Sequence, residues 1–599
     1  MEKQLTRKEV DNKYKWDLTP IYKNDKEWES DLERAKEEIK KISKFTDLLS
    51  SSKRLLEYIK YNEETERLLY KLYYYAHLNH DSDTTDTKYQ KMVKNVSDIM
   101  TEYGELGSFV TPLFMKTDYS IIEKYYEEEP KLKEYEFNIK NMYRYQAHTL
   151  NESEEKILST LSNSLANPSS TYEALTDSDM EFGTIKDENG KDVVMTDSNF
   201  SSYLSSKNRE TRKEAFNMMY DTYAKFKNTI TSTYIGDMDA NISLAKIKKY
   251  NSAREASLFG DNVDTTIYDN LVNTVNKNIS VLHKYYALKK DILRLKELHL
   301  YDVYADLVEV DELNNYPFEK AKELVIDALS ILGEDYISNL KKAFDEKWID
   351  IYNNKGKRSG AYSSGFYDTN HYVLLKYENK LRDVSTLAHE LGHSMHTFYS
   401  CKNQPYQYSS YNIFVAEVAS TVNELILAKY LLNKVEDKDS KLYILNKMLE
   451  LFRTTIFRQT MFAEFERDMY KMREDKEALT NDILCDHYLE LNKTYFGKDV
   501  VVDDQIKYEW MRIPHFYYGF YVYKYATGLS CASYIVEGIL NNKEGALENY
   551  LKFLTTGGSM YPVDELKVAG VDITKPEVIE SAINMFDDTI EEFKSLLKK

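Results

Sequence analysis

The sequence predicts a mostly α-helical protein with one small β-element. Glycine (19 residues) and proline (9 residues), which interrupt helices, are scarce for a chain of 599 residues. Apolar residues recur at helical spacing through most of the chain, whereas runs with the alternation of a strand are short and few. A chain of this length buries more than one core, so we expect at least two structural units.

The N-terminal region, from about residue 16 to residue 178, is predicted to be a series of amphipathic helices. In the stretch SDLERAKEEIKKISKF, Ser30 or Asp31 is a suitable helix cap. An apolar stripe follows at helical spacing, formed by Leu32, Ala35, Ile39 and Ile42. This stripe predicts packing against a core and no further role.

Residues 181–196 break the helical pattern. Asn189-Gly190 lies between two short runs of strand-forming residues, and this dipeptide favours a two-residue hairpin turn. Helical periodicity returns after residue 200. We therefore expect an N-terminal helical domain over residues 1–200 that ends in this hairpin, and a second helical domain over residues 201–599.

A second non-helical stretch covers residues 356–380. Three glycines interrupt it as a loop, and the segment from His371 to Tyr377 has the composition of a short strand. This is the small β-element, and it directly precedes the helix that carries the chemistry described below. Helices then dominate to the C-terminus, apart from TTGGSMYP at residues 555–562.

Charge and cysteine content exclude several classes of protein. The 80 basic and 99 acidic residues give a formal charge of −19, and no basic patch stands out, which argues against nucleic acid and anionic membranes as partners. The three cysteines are widely spaced and form no CxxC motif, so disulfides are not expected. Because the N-terminus has no apolar signal region and no long apolar run occurs, we expect a soluble, cytoplasmic protein.

The motif HELGH, residues 389–393, is the strongest chemical signal in the chain. Only 11 histidines occur in 599 residues, and a random chain of this composition would contain HExxH about 0.02 times. On a helix, His389 and His393 lie on one face, so both imidazoles can bind one Zn²⁺. Glu390 can then act on the water at the open coordination position. Asp383 can cap the start of this helix.

The third metal ligand must come from another helix. His396 lies about 10.5 Å along the axis from His389, too far for both to bind one metal ion, so it is rejected as a ligand. In FVAEVASTVNELIL, Glu417 and Glu424 share one face of an otherwise apolar helix, and burying two unpaired carboxylates is costly. We take Glu417 as the ligand and Glu424 as a partner that orients a ligand histidine.

The sequence resembles the thimet oligopeptidase family of gluzincin metallopeptidases, and within it most closely the oligoendopeptidase F group. The resemblance extends over nearly the whole chain. It is carried by DVSTLAHELGHSMH, FVAEVAST, RIPHFYYGFYVYKYATG and FLTTGGSMYPVDELKVAGVD, together with KWDLTPIYKNDKEW, FGTIKDENG and GKRSGAYS nearer the N-terminus.

The resemblance implies two helical halves that enclose a deep substrate channel, and one Zn²⁺ per chain held by His389, His393 and Glu417. It implies that residues 201–599 form the catalytic domain, in which Glu390 acts as general base and acid while Zn²⁺ activates water. His515 and nearby tyrosines would stabilise the oxyanion. We choose Tyr518 and Tyr525, which are seven residues apart and so on one helical face, with Tyr523 as the alternative.

The predicted activity is hydrolysis of internal bonds in short, unstructured peptides. The strand around residues 372–376 could pair with an extended peptide. Two alternatives stay open, a zinc carboxypeptidase or dipeptidyl carboxypeptidase of related architecture, and a peptide-binding protein without activity. The second is disfavoured because Glu390 is present.

Overall fold

A computed structural model describes residues 5–308 and 315–598. It is 71% helix and 4% strand, which confirms the mostly α-helical prediction. None of the helices in these two ranges has the length and apolar character needed to cross a lipid bilayer.

The α-helices follow one another along the chain with short connections. The first fourteen are α1 Asp25–Glu38, α2 Ser52–Ser82, α3 Thr87–Leu106, α4 Val110–Lys116, α5 Tyr119–Glu128, α6 Glu136–Arg144, α7 Glu152–Leu165, α8 Asn167–Glu173, α9 Asp197–Leu204, α10 Arg209–Lys225, α11 Lys227–Ile247, α12 Ala253–Phe259, α13 Thr265–Lys277 and α14 Ser280–Ile292. The others are α15 Phe318–Leu329, α16 Glu334–Asp345, α17 Leu381–Asn403, α18 Ile413–Lys434, α19 Lys438–Phe452, α20 Arg458–Glu474, α21 Asn481–Phe496, α22 Tyr523–Leu540, α23 Ala546–Phe553, α24 Pro562–Val568 and α25 Pro576–Lys598.

The strands form three small sheets. They are β1 Thr184–Lys186, β2 Asp192–Val194, β3 Leu298–His299, β4 Ile349–Tyr352, β5 Tyr362–Ser364, β6 Tyr372–Tyr377 and β7 Val500–Val501. β1 and β2 are antiparallel, and β3 and β7 are parallel. In the third sheet β6 is central, parallel to β4 and antiparallel to β5.

The chain divides into two compact units, each assembled from three segments. The described residues of the first unit are 5–152, 315–430 and 538–570, and those of the second are 153–308, 431–537 and 571–598. The predicted boundary between two domains at residue 200 stays a prediction. So does the predicted substrate channel.

The first unit contains α1 and the 3₁₀ helix Ile39–Phe45 that follows it. The apolar stripe predicted here is confirmed, but the predicted helix cap is wrong. Leu32, Ala35, Ile39 and Ile42 are all buried. However, the helix begins at Asp25, because Asn24 accepts hydrogen bonds from the backbone N–H groups of the first turn. Ser30 and Asp31 therefore lie inside the helix.

The first unit also contains the three-stranded sheet, in which β6 is buried over almost its whole length. Because β6 pairs with a strand on each side, the expectation that this strand itself pairs with a peptide is wrong. β5 lies at the edge of the sheet, and the Ser363 hydroxyl is 2.8 Å from the Ser394 hydroxyl on α17. The small β-element is thus attached directly to the HExxH helix, as predicted.

The second unit has an aromatic core and contains the hairpin. Tyr234, Phe465, Trp510 and Phe516 pack with ring centroids 5.3 to 6.5 Å apart. The hairpin between β1 and β2 is confirmed, but its predicted two-residue turn is wrong. Residue 190 donates its N–H to the carbonyl of residue 187, so Asn189-Gly190 forms the second half of a four-residue turn rather than its centre.

Candidate metal centre

Helix α17, which carries the HExxH motif, begins at a capped end and is anchored by a buried stripe. The Asp383 carboxylate lies in the first turn and accepts hydrogen bonds from the backbone N–H groups of Lys380 (2.9 Å) and Glu378 (2.8 Å). One face of the helix is apolar and fully buried, and it is formed by Val384, Leu387, Ala388, Leu391 and Met395. The opposite face of the helix therefore carries the two motif histidines.

A glycine lets the second ligand helix approach α17 closely. A Cβ atom at Gly392 would lie 2.5 Å from the Cα atom of Ser420 and 2.7 Å from the carbonyl oxygen of Ala419. The Asn423 amide also donates to the Ala388 carbonyl (3.2 Å), which fixes α18 against α17. Sequence reasoning missed this role, although a glycine in the middle of a buried helix was a visible signal.

This contact brings the three predicted metal ligands together. One donor atom from each of His389, His393 and Glu417 lies within 4.8 Å of the others. A Glu417 carboxylate oxygen is 3.3 Å from Nε2 of His389 and 3.4 Å from Nε2 of His393. Two imidazoles and one carboxylate are the donor set of catalytic zinc sites that keep one position open, so the residues present fit zinc.

The surroundings of the cluster orient its histidines. Nδ1 of His389 is 3.4 Å from a Glu424 carboxylate oxygen, which leaves Nε2 to face Glu417. Although burial opposes ionisation, the hydrogen bonds to both histidines hold the pKa of Glu417 well below its usual range. Hydrogen bonds to Glu417 and Glu424 likewise outweigh burial and raise the pKa of His389. A metal ion binds the neutral imidazole, so it competes with a proton at His389.

Glu390, the predicted general base, is 7% exposed and lies beside the cluster. Burial raises the pKa of its carboxyl group, while the two motif histidines and the backbone N–H of Ser363 lower it, and the pKa stays above its usual value. The N–H of Ser363 belongs to the edge strand β5. Sequence reasoning did not identify this contact, because it depends on how the sheet pairs.

His396 is placed where the sequence analysis expected it, outside the ligand cluster. It is fully buried, and its ring stacks on Tyr411 with centroids 3.7 Å apart. Burial lowers the pKa of His396 to about 3, so this imidazole is neutral.

The second predicted group, His515 with its tyrosines, lies in the second unit. His515 is in a 3₁₀ helix, Pro514–Tyr517, and burial lowers its pKa. The Tyr525 hydroxyl is 3.4 Å from Nε2 of His515, and the Tyr518 ring packs edge-on to the imidazole with centroids 5.6 Å apart. The structure therefore brings these three residues together.

The reason given for choosing the two tyrosines is wrong. Tyr518 and Tyr525 do not share a helical face, because Gly519 and Phe520 have left-handed backbone conformations (φ 55° and 53°) and α22 begins only at Tyr523. The alternative, Tyr523, is fully buried against Tyr268.

Two further tyrosines of this segment were not chosen from the sequence. The Tyr521 ring stacks beside His515 with centroids 6.2 Å apart, and helical spacing gave no signal for it. The Tyr517 hydroxyl is 2.8 Å from that of Thr233, which ties its ring to the core.

Comparisons with known proteins agree with the chemistry of this cluster. A family model described as peptidase family M3 matches residues 202–585. The chain belongs to peptidase family M3. A second model, described as oligopeptidase F, matches residues 114–182.

Relatives within the M3 family match the chain over almost its whole length. Oligopeptidase PepF of Bacillus subtilis is 43% identical over 99% of this chain and 88% of its own. An oligoendopeptidase F homolog of Lactococcus lactis is 37% identical over 99% of both chains. The crystal structure of oligoendopeptidase-F from Enterococcus faecium superposes with a TM-score of 0.73 and 35% identity, over 96% of this chain and 99% of that one. The resemblance to oligoendopeptidase F is confirmed, and the carboxypeptidase alternative is not favoured.

Proposed function

We propose that this M3 peptidase is a zinc metalloendopeptidase that hydrolyses internal bonds of short, unstructured peptides in the cytoplasm. The observation that carries the proposal is the cluster of His389, His393 and Glu417 beside a buried glutamate, Glu390. The family and the names of the relatives support a peptide substrate. The three cysteines are free thiols, as expected in a reducing compartment.

In the proposed mechanism, His389, His393 and Glu417 hold one Zn²⁺. When bound, zinc would polarise the scissile carbonyl and acidify a water molecule. Glu390 takes the proton from the attacking water and later delivers it to the leaving amine. Its raised pKa suits this double role, because a carboxyl group must accept and release a proton near neutral pH. Glu424 keeps the ring of His389 in the orientation that presents Nε2.

His515, Tyr518 and Tyr525 are proposed to donate hydrogen bonds to the oxyanion that forms during peptide hydrolysis. Support comes from their grouping, in which an imidazole with a lowered pKa lies within reach of the Tyr525 hydroxyl. A neutral histidine and two phenols can each donate a hydrogen bond without carrying a charge.

The proposed substrate contact on the sheet is the edge strand β5. In the described part of the chain, β5 pairs with β6 on one side only, and its other edge would pair with the main chain of an extended peptide, which gives affinity with little sequence preference. Because the Ser363 N–H reaches Glu390 and the Ser363 hydroxyl reaches α17, a peptide on this edge would run beside the general base.

The test is to incubate the purified protein with unstructured peptides of increasing length and to identify the products by mass spectrometry. We expect internal cuts that fade as the peptides lengthen and that are absent after chelation and in Glu390→Gln. Stepwise removal of residues from one end would support a carboxypeptidase instead. Intact peptides with a metal-loaded sample would contradict the proposed activity.

A further inference from the structure

The first unit contains a cavity of about 580 Å³ beside the HExxH helix. Its wall includes seven residues of α2, among them Glu63, Glu66, Tyr70 and Tyr74, together with residues of α17 and of the loop after β5. A volume of this size is in the range of cavities that hold small ligands or large side chains.

The cavity begins next to the candidate metal centre. Thr397, which lines it, follows His393 by one helical turn and donates a hydrogen bond to the His393 carbonyl (3.0 Å). Gly365 and Phe366, which also line it, directly follow the edge strand β5. A peptide that pairs with β5 would therefore pass the mouth of this cavity, and one of its side chains or its terminus can enter.

The charge of the wall selects what can enter. Among the described residues that line the cavity, Glu63 and Glu66 are the only charged side chains. Each accepts one hydrogen bond from a tyrosine hydroxyl, Glu63 from Tyr135 (3.1 Å) and Glu66 from Tyr406 (3.3 Å). Carboxylates in the wall of a partly enclosed cavity favour a cationic ligand that can pair with them.

Arg67, a basic residue of α2 next to the two glutamates in the chain, is already paired. Arg67 follows Glu66 in the chain, but its guanidinium makes two hydrogen bonds to the Asp368 carboxylate (2.8 and 2.5 Å). It is not part of the cavity wall. Burial raises the pKa of both carboxyl groups, and no cation among the described lining residues balances the charge that they carry when ionised.

The aromatic part of the wall suits the same kind of ligand. Phe366 stacks on Tyr74 with centroids 5.0 Å apart and lies 6.0 Å from Tyr70. Aromatic faces attract cations, and they also cover the methylene groups of a lysine or arginine side chain. An acidic side chain would be repelled by the two carboxylates, and an aliphatic one would form no ion pair with them.

We propose that this cavity is a specificity site that binds a cationic group of the peptide substrate, either a lysine or arginine side chain or the N-terminal ammonium group. The two glutamates and the aromatic wall form the site. This inference rests on the proposed endopeptidase function, because the ligand is part of the substrate.

The first experiment uses the wild-type enzyme and a set of peptides that are acetylated at the N-terminus and amidated at the C-terminus. A single lysine is moved through the sequence and replaced in parallel by norleucine or glutamate, and kcat/KM is measured for each. We expect one position at which lysine exceeds norleucine by about 10-fold, with glutamate lower still. Each peptide is also made with a free N-terminus, and if cleavage is favoured only in those peptides, the ammonium group is the ligand.

The second experiment measures the same lysine-to-norleucine ratio, or for a terminal ligand the free-to-acetylated ratio, in Glu63→Gln, Glu66→Gln and the double variant. We expect the ratio to fall towards 1 in the double variant, whereas Glu64→Gln, an exposed glutamate of the same helix, keeps the wild-type ratio. The proposal is overturned if the wild-type enzyme shows no charge preference, or if the preference survives in the double variant. Failure of every peptide, neutral or charged, to be cleaved would instead contradict the proposed function.

Discussion

The helix pair α17–α18 and the segment from His515 to Tyr525 both carry predicted catalytic groups, but they are held in shape by different means. In the helix pair, regular helices meet at a steric contact, with Gly392 against the backbone of Ser420. In the His515 segment, a 3₁₀ helix and a left-handed turn are held by polar contacts. Glu466 accepts a hydrogen bond from the Phe520 N–H (2.8 Å), and Ser257 donates to the Gly519 carbonyl (2.8 Å).

The difference teaches which functional residues a sequence reveals. On a regular helix, spacing determines the face, so Glu417 and Glu424 were identified from their positions alone. In an irregular segment, the direction of each side chain depends on backbone conformations and on distant partners such as Glu466. The four predictions below test this contrast, from the largest expected effect to the smallest.

Removing the metal should have the largest effect. We expect a chelator to lower kcat/KM by about 1,000-fold or more, because the proposed zinc ion would polarise the carbonyl and acidify the attacking water. One equivalent of Zn²⁺ should restore activity. In the metal-free protein, hydrogen exchange of backbone amides should become faster in residues 385–425, because His389 and His393 lose their link to Glu417. Full activity in a sample shown to be metal-free would contradict the proposal that the α17–α18 cluster acts through a metal ion.

A matched pair of tyrosine variants tests the His515 segment. Tyr525→Phe removes a hydroxyl that lies 3.4 Å from His515, and we expect kcat to fall by about 100-fold, as for the loss of one oxyanion donor. Tyr523→Phe removes the hydroxyl of a fully buried neighbour and should leave kcat within about twofold while changing stability. Steady-state kinetics on one peptide decides between them. The opposite ranking would show that the segment was assigned wrongly.

The contact between α17 and α18 can be tested with glycine variants. Gly392→Ala places a Cβ atom against backbone that cannot move freely, so we expect a loss of about 1–3 kcal/mol in stability and weaker zinc binding. Gly104→Ala in α3 is the control, because a Cβ atom there meets nothing within 4 Å, and it should be neutral or stabilising. Denaturant unfolding and zinc titration measure both effects. Equal behaviour of the two variants would remove the steric explanation.

The smallest effect concerns pH and Glu466. Burial raises the pKa of this carboxyl group to about 8, well above the value of about 4.5 expected in the unfolded chain. Between these values the folded protein keeps a proton that the unfolded chain has lost, so its contribution to stability falls as pH rises from about 5 to about 8. We expect Glu466→Gln to make the pH dependence of the unfolding free energy shallower. Identical slopes in both proteins would refute this.

The sequence was sufficient for the fold class and for the grouping of His389, His393 and Glu417 in one cluster. HExxH and the periodicity of α18 identified the ligand cluster, since both are properties of a single helix face. The sheet order, the role of Gly392 and the contact from Ser363 to Glu390 could not be predicted, because they join residues that are far apart in the chain. The choice of Tyr518 and Tyr525 rested on a helix that is interrupted at Gly519.

We propose that His389, His393 and Glu417 hold one zinc ion. The metal content of purified variants tests this most directly. We predict one Zn²⁺ per chain in the wild-type protein. X-ray absorption spectroscopy of the zinc should show two imidazole nitrogens and a carboxylate oxygen at about 2.0–2.2 Å. Glu417→Ala should lose the metal, whereas Glu424→Gln should keep it with an affinity about 10- to 100-fold lower. A full complement of zinc in Glu417→Ala would contradict the account.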